Sequence, residues 1–172
     1  MLSDRFLPEY DFSETHEILI NASATHVYSK LRTLNLGQSA VISWLLRLRG
    51  FRTPFFSIAE FERFGFATLA EVPNEEWLMG LVGQFWRPTG NMQAISAENF
   101  AQFQRRGFAK SVWSFHLSSA SGNRTLVTTE TRVLCLDGNS RRWFRLYWLL
   151  IAPFSAWIRR AMLQLLKEES ES

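Results

Sequence analysis

Two oppositely charged side chains, Glu130 and Arg132, stand two positions apart in a stretch that alternates like a β-strand. Residues two apart on a strand project from the same face of a sheet. If that face lines a cavity, the pair could bind a carboxylate or a phenol, or tune the pKa of a general acid. The competing interpretation, an ion pair on the solvent face, is the more common case and would contribute little stability. The alternation of residues 124–136 does not decide which face is internal.

Four aromatic residues form a second candidate group. Trp86 and Trp113 belong to predicted strands, whereas Tyr147 and Trp148 follow one another in a predicted helix, about 100° apart around its axis. Flat, stiff side chains with polar edges suit the rings of quinones or polyketides. Each one taken singly fits an ordinary core equally well. The predicted ligand-binding residues are therefore Trp86, Trp113, Glu130, Arg132, Tyr147 and Trp148.

Motifs for the common catalytic chemistries are missing from the sequence. His16, His26 and His116 are too scattered for a metal site, and the single cysteine, Cys135, has no partner. No serine sits in a GxSxG elbow, and residues 80–83 (GLVG) lack the following lysine of a phosphate-binding loop. These absences count against a hydrolase, a kinase or a dehydrogenase. We expect no metal and no cofactor.

The C-terminal stretch is the most unusual part of the chain. Residues 146–158 carry no charge, and paired arginines flank them at 141–142 and 159–160. A helix that is apolar all round must be buried or lie in lipid, and this run is shorter than the roughly 20 residues of a membrane span. The arginines suit solvated helix ends, with their stems over apolar surface. The sharper interpretation is a helix that lies at a membrane surface.

The pattern of the remaining chain predicts the elements that position these residues. We expect a strand over 11–20, helices over 24–34, 38–49 and 57–64, a hairpin over 66–83 that continues to 87, and a short strand at 91–95. A helical turn at 96–103, strands over 108–118 and 124–136, and one long final helix with a kink near Pro153 complete the prediction. No repeat or linker divides residues 1–172, so we expect a single domain.

This order resembles the helix-grip fold of the START/Bet v 1-like superfamily (SRPBCC), which includes polyketide cyclases and lipid-transfer proteins. The segments most similar to an uncharacterised bacterial branch are residues 65–69 (GFATL), 80–86 (GLVGQFW), 129–133 (TETRV) and 147–160. The resemblance implies an α+β protein in which a curved antiparallel sheet of about six strands wraps around a long C-terminal helix, with small helices after the first strand. It also implies a cavity between sheet and helix that holds a hydrophobic small molecule.

The amino-acid composition bears on the classes of binding partner and on the cellular compartment. The 19 basic and 16 acidic residues leave a net charge of +3 without a long basic run, so nucleic-acid binding is not expected. One cysteine and the lack of a secretory signal favour a cytoplasmic protein. Aromatic residues make up 15 % of the chain, which suits either a large core or a lined cavity.

Three functions remain in competition. The first is binding of a hydrophobic or aromatic small molecule, such as a lipid, a quinone or a polyketide, between the sheet and the last helix. The second is a cyclase- or dehydratase-type enzyme on the same fold, with Glu130 or Arg132 taking part. The third is docking of the apolar helix on a membrane or a partner, without a ligand; a homodimer would use the same apolar surface.

Overall fold

A computed structural model describes residues 1–38 and 58–172 of the chain. The helix predicted over residues 38–49 lies outside the described residues, apart from its first position. The described elements, in chain order, are α1 (Leu2–Phe6), β1 (Phe12–Ile20), α2 (Ala24–Thr33), two 3-10 helices (Leu36–Gln38 and Ile58–Phe64), β2 (Ala67–Val72), β3 (Glu76–Gly83), α3 (Ala97–Phe100), β4 (Ala109–Ala120), β5 (Arg124–Cys135) and α4 (Gly138–Glu171).

The five strands form one sheet in the order β1-β5-β4-β3-β2, and every neighbouring pair is antiparallel. Register aligns residues of four strands in rows across the sheet. One such row runs from Glu14 through Thr131 and Trp113 to Met79. Because side chains of directly opposed residues share a face, the four side chains of such a row all lie on the same face of the sheet.

The two faces of the sheet are covered by different elements. The inner face packs on α2 and α4 through residues such as Trp77, Phe115 and Val127. The outer face packs on the N-terminal segment and α3 through Leu78, Val112 and their neighbours. The helix-grip architecture expected from the sequence is therefore confirmed, with five strands where about six were expected.

The strand segments expected at residues 84–87 and 91–95 do not form, for a local reason. The strand that was expected to continue through residues 84–87 ends at Gly83, and residues 91–95 form no strand. Gly90 and Asn91 adopt positive φ values of 67° and 40°, which a strand does not accommodate. The backbone instead turns, so that the amide of Gln84 donates to the carbonyl of Gly90 at 2.7 Å.

Two residues explain local features of the fold, the start of α2 and the close approach of β3 to β2. Ser23 caps α2 by accepting from the amide of His26, a position that favours serine. Gly80 permits a close approach between β3 and β2, because a Cβ atom there would lie 2.6 Å from Cδ1 of Leu69.

The long helix α4 is capped by Asp137. Its Oδ1 atom accepts from the amides of residues 139 and 140, each at 2.9 Å. The carboxylate also accepts from the amide of Gly107, which ties the start of α4 to the loop before β4. The helix then runs through Pro153 to Glu171, so it includes the acidic residues near the C-terminus.

Helix α4 is anchored at its two ends and loosely packed between them. Phe144 is buried near its start, and Met162, Leu163 and Leu166 are buried in its second half. No residue of the intervening stretch 145–161 is buried, although a helix lying on a sheet ordinarily buries one side chain in every three or four. By length and composition α4 could cross a membrane, and 17 % of its most apolar 18-residue window is buried.

Candidate functional site

A polar layer interrupts the apolar space between the sheet and α4. On the inner face, Glu14 of β1 and Thr131 of β5 lie opposite each other in one row, and Arg159 of α4 approaches Glu14 from above. Apolar residues occupy both sides of this layer, but they form two separate clusters, one around Trp113 and Phe115 and the other around Phe144. The inner face is therefore not one continuous core.

Arg159 is a mostly buried cation with few partners. Its side chain is 13 % exposed, its Nε atom lies 3.9 Å from Oε2 of Glu14, and its guanidinium lies 4.9 Å from the centre of the Trp113 ring. The first distance is too long for a hydrogen bond, and both Nε and Nη1 are buried without a hydrogen-bond partner among residues 1–38 and 58–172. Burial lowers the pKa of Arg159 to about 10, against the opposing effect of Glu14. The group is therefore still positively charged at neutral pH.

Two neighbours of Arg159 also carry unused hydrogen-bonding capacity. The Oε2 atom of Glu14 and the Oγ1 atom of Thr131 are buried without a partner. The other carboxylate oxygen of Glu14 lies 2.7 Å from Nε2 of His16, so this side chain is half satisfied. In contrast, the indole of Trp113 donates to Oγ1 of Thr129 at 2.8 Å. The unpaired groups thus concentrate in one layer rather than along the whole face.

The periods of the strand and the helix place each of these side chains. On β1, residues 12, 14, 16, 18 and 20 share the inner face, so Glu14 and His16 lie between apolar residues. On α4, Arg159 follows Ser155 by four positions and precedes Met162 by three, which puts it on the sheet-facing side. Its neighbour Arg160 is exposed. The two arginines of this pair, which the sequence presents as one basic flank, therefore face opposite environments.

Three of the predicted aromatic residues meet at one end of the inner face. Trp86, Tyr147 and Trp148 all surround Phe144, with ring centres 6.5, 5.7 and 5.7 Å from it. Trp86 also lines an open cleft of about 380 Å³ at the start of α4. The structure therefore brings these three residues together near the N-terminal end of α4.

Trp113 belongs to the other aromatic group. It lies 5.1 Å from Phe61 and 4.9 Å from Phe115, measured between ring centres. Trp113 contacts the polar layer through the guanidinium of Arg159.

Glu130 and Arg132 lie on the outer face, away from α4. They share a face, as predicted, and pair with each other at 3.0 Å. Arg132 also binds Asp4 at 2.8 Å and the carbonyl of Leu7 at 3.3 Å, while Ser3 donates to Glu130 at 3.2 Å. Arg132 holds the pKa of Asp4 below its usual range. The pair is mostly buried because the N-terminal segment covers it, and it fastens that segment to the sheet.

Residues 1–38 and 58–172 contain no group of three or more His, Cys, Asp or Glu side chains placed to hold a metal ion. The polar layer instead offers one cation, one carboxylate, one imidazole and hydroxyl groups. Such a set can bind an acidic group by charge-assisted hydrogen bonds, and a histidine beside a carboxylate can exchange protons.

Comparison with known proteins gives structural neighbours only. No family model matches the chain, and the search of curated proteins finds no match. A hypothetical protein from Helicobacter pylori, jhp0584, is similar over 97 % of this chain and 93 % of its own, with 10 % identity and a TM-score of 0.46. The protein TTHA0849 from Thermus thermophilus is similar over 92 % of this chain and 97 % of its own, with 9 % identity and a TM-score of 0.32. These similarities assign neither a family nor a function to the chain.

Proposed function

We propose that this protein binds a hydrophobic small molecule with an acidic group between the sheet and α4, and that Arg159 pairs with that group. The observation that carries the proposal is the charged guanidinium of Arg159, whose Nε and Nη1 atoms are buried without a partner. More than nine in ten buried polar groups in proteins have a hydrogen-bond partner. A cation left this way is costly, so a missing partner is the simplest physical account of it.

The neighbouring groups support an acidic rather than a basic or neutral partner. Glu14 offers only one oxygen to Arg159, at 3.9 Å, and its other oxygen is engaged with His16. A carboxylate or phosphate from a ligand would accept a charge-assisted hydrogen bond from Nε or from Nη1, which lie on different edges of the guanidinium. Thr131, whose hydroxyl is also unpaired, could donate a further bond.

The flanking clusters suit the apolar body of such a molecule. The Trp113 cluster lies on one side of the polar layer and the Phe144 cluster on the other, so an amphipathic ligand would contact aromatic rings on either side of its acidic group. We place the ligand beneath the stretch 145–161, because no residue of α4 is buried there. The helix-grip architecture, and the resemblance to a superfamily that holds hydrophobic molecules in this place, favour the same position.

The test compares a long-chain fatty acid with the alcohol of equal chain length. Binding is measured by displacement of a fluorescent probe from protein that has been unfolded in urea, freed of small molecules and refolded. The wild-type protein should prefer the acid, and Arg159→Met should reduce its affinity for the acid about tenfold or more while leaving the alcohol unaffected, because a charge-assisted hydrogen bond is lost. Arg160→Met, which removes the adjacent exposed cation, is the matched control. Equal affinity of the wild-type protein for acid and alcohol would contradict the role of Arg159, and no binding of either would contradict the function.

One observation favours a second candidate function, a cyclase- or dehydratase-type enzyme. Nε2 of His16 lies 2.7 Å from Glu14, close to the cation that would stabilise an enolate. Glu130 and Arg132 do not support this candidate, because they lie on the other face of the sheet. For a polyketone substrate, His16→Gln should abolish turnover and leave binding intact; absence of turnover by the wild-type protein would remove the candidate.

A further inference from the structure

The outward face of α4 is apolar and uncovered. Its large side chains, all between 48 % and 72 % exposed, follow one another at helical spacing and so form one stripe. They are Trp143, Leu146, Leu149, Leu150, Phe154 and Trp157. Contiguous exposed apolar surface of this kind marks an interaction site. We call it the outward stripe.

We propose that the outward stripe docks on an anionic phospholipid bilayer, with α4 lying flat in the interface. This inference is independent of the ligand site, which uses the opposite side of the helix. An interfacial helix combines a stripe of Trp, Phe and Leu with basic residues beside it, and the outward stripe has both features.

The charge around the stripe selects the partner. Residues 138–167 include five arginines and one lysine but no aspartate or glutamate. Arg142, Arg145 and Arg160 are exposed along this helix, whereas Arg141 is engaged with Asp11 at 2.6 Å. A second copy of the same stripe would bring like charges together, so a homodimer through this face is disfavoured. The headgroups of anionic lipids complement it, at about 1 kcal/mol for each basic residue near the surface.

The tryptophans mark the ends of the contact. Trp143 and Trp157 are about 21 Å apart along the helix axis, from a rise of about 1.5 Å per residue. Tryptophan prefers the headgroup level, where its ring is half buried and its N–H stays hydrated. The placement of one at each end indicates a helix parallel to the membrane surface.

The other side of α4 excludes a transmembrane arrangement of this folded state. Phe144, Met162, Leu163 and Leu166 are buried against the rest of the protein, and Arg159 is directed towards the sheet. Spanning a bilayer would require all of these contacts to break. Within α4, only the outward stripe is free to enter lipid.

The experiment is co-flotation of the full chain with vesicles of phosphatidylcholine alone or mixed with phosphatidylglycerol. Binding should require the anionic lipid and decrease with salt, since surface charges are screened. Trp fluorescence should shift to shorter wavelength on binding, because Trp143 and Trp157 leave water.

Two pairs of variants test the two components. Leu149→Gln combined with Leu150→Gln should weaken partitioning by at least about tenfold, since both apolar side chains lose their transfer into lipid. Val72→Gln, an exposed apolar residue on β2, is its control and should change nothing. Arg142→Gln should weaken binding to anionic vesicles about fivefold, whereas Arg5→Gln, on the far side of the sheet, should not.

The opposite results would overturn the proposal. These are equal flotation with neutral and anionic vesicles, no flotation at all, or an effect of Val72→Gln as large as that of the leucine pair. Light scattering of the lipid-free protein adds an independent check. A stable dimer that Leu149→Gln and Leu150→Gln dissociate would show that a second copy, and not lipid, covers the stripe.

Discussion

Arg159→Met should make the ligand-free protein more stable, because the contact that it removes from Glu14 is long, at 3.9 Å, and Glu14 keeps its 2.7 Å contact with His16. Burial lowers the pKa of Arg159 from 12.5 to about 10, and each unit of pKa corresponds to about 1.4 kcal/mol. The folded state therefore disfavours the charged guanidinium by about 3 kcal/mol relative to the unfolded chain. The contact with the Trp113 ring offsets about 1–2 kcal/mol of that cost. We expect the free energy of unfolding to rise by about 1–2 kcal/mol.

The sign of this effect fixes its pH dependence. Because the pKa of Arg159 is lowered on folding, the cost of its charge is fully present below about pH 10 and is relieved only between about pH 10 and 12.5. The gain from Arg159→Met should therefore be equal at about pH 7 and about pH 9. Met is close to Arg in length, so cavity effects should be small.

Urea unfolding followed by far-ultraviolet circular dichroism measures the gain. Circular dichroism is preferred to fluorescence because Arg159 contacts Trp113 directly. The slope of the transition should not change, so the midpoint reports stability. Arg160→Met is the control and should stay within about 0.5 kcal/mol of the wild type. A loss of more than about 2 kcal/mol in Arg159→Met would mean that the guanidinium is a structural tie with satisfied partners, and the argument for a vacant acid-binding position would fail.

Three further changes probe the parts that hold the site in place. Asp137→Ala should lower the free energy of unfolding by about 1–2 kcal/mol through loss of the α4 cap. Hydrogen bonds from the backbone of residues 140 and 107 lower the pKa of Asp137 from 3.8 to about 2, so urea unfolding should find the stabilisation complete above about pH 4 and fading towards about pH 2. In Asp137→Asn this pH dependence should be lost. Arg132→Met should cost about 3 kcal/mol because it leaves a buried carboxylate unpaired, and it should speed hydrogen exchange in residues 2–7, whereas Asp4→Asn, at an exposed partner, should cost less than about 1 kcal/mol. Gly80→Val should cost at least about 1–3 kcal/mol by overpacking against β2, while Gly138→Ala, which meets nothing within 4 Å, should be neutral in thermal unfolding.

Much of the fold is predictable because its strands and final helix carry strong periods. The alternation of residues 108–118 places Trp113 and Phe115 on one face, and the structure buries both on the inner side. Helix α1 is not predictable in this way, because its stability comes from tertiary contacts. The amide of Leu2 donates to Glu76 at 2.8 Å, and Asp4 pairs with Arg132. Local sequence holds no trace of either partner.

The site is predictable in part. Alternation along β1 already places residues 12, 18 and 20 together on an apolar face, so Glu14 and His16 have to share it. Polar residues in the middle of such a face are the signal that could have identified this layer. Arg159 is harder to identify, because beside Arg160 it has the pattern of an ordinary helix flank. Only the packing of α4 on β1 separates the two arginines.

The same helix therefore carries two different surfaces. The uncharged run in its sequence does not separate them, because both sides of the helix are apolar there. A single-sided helix would show a clear polar stripe opposite its apolar one. In α4 the polar side is nearly missing between residues 146 and 158, because the inward side faces an aromatic interior and the outward side carries leucine, phenylalanine and tryptophan. Anchors at Phe144 and Met162 fix the two ends, so the stretch between them can keep apolar residues on both sides without being pulled into the core. The acid-binding group that we propose on the inward side and the lipid-binding stripe that we propose on the outward side, less than one helix diameter apart, are the arrangement expected of a protein that collects an amphipathic molecule from a membrane surface.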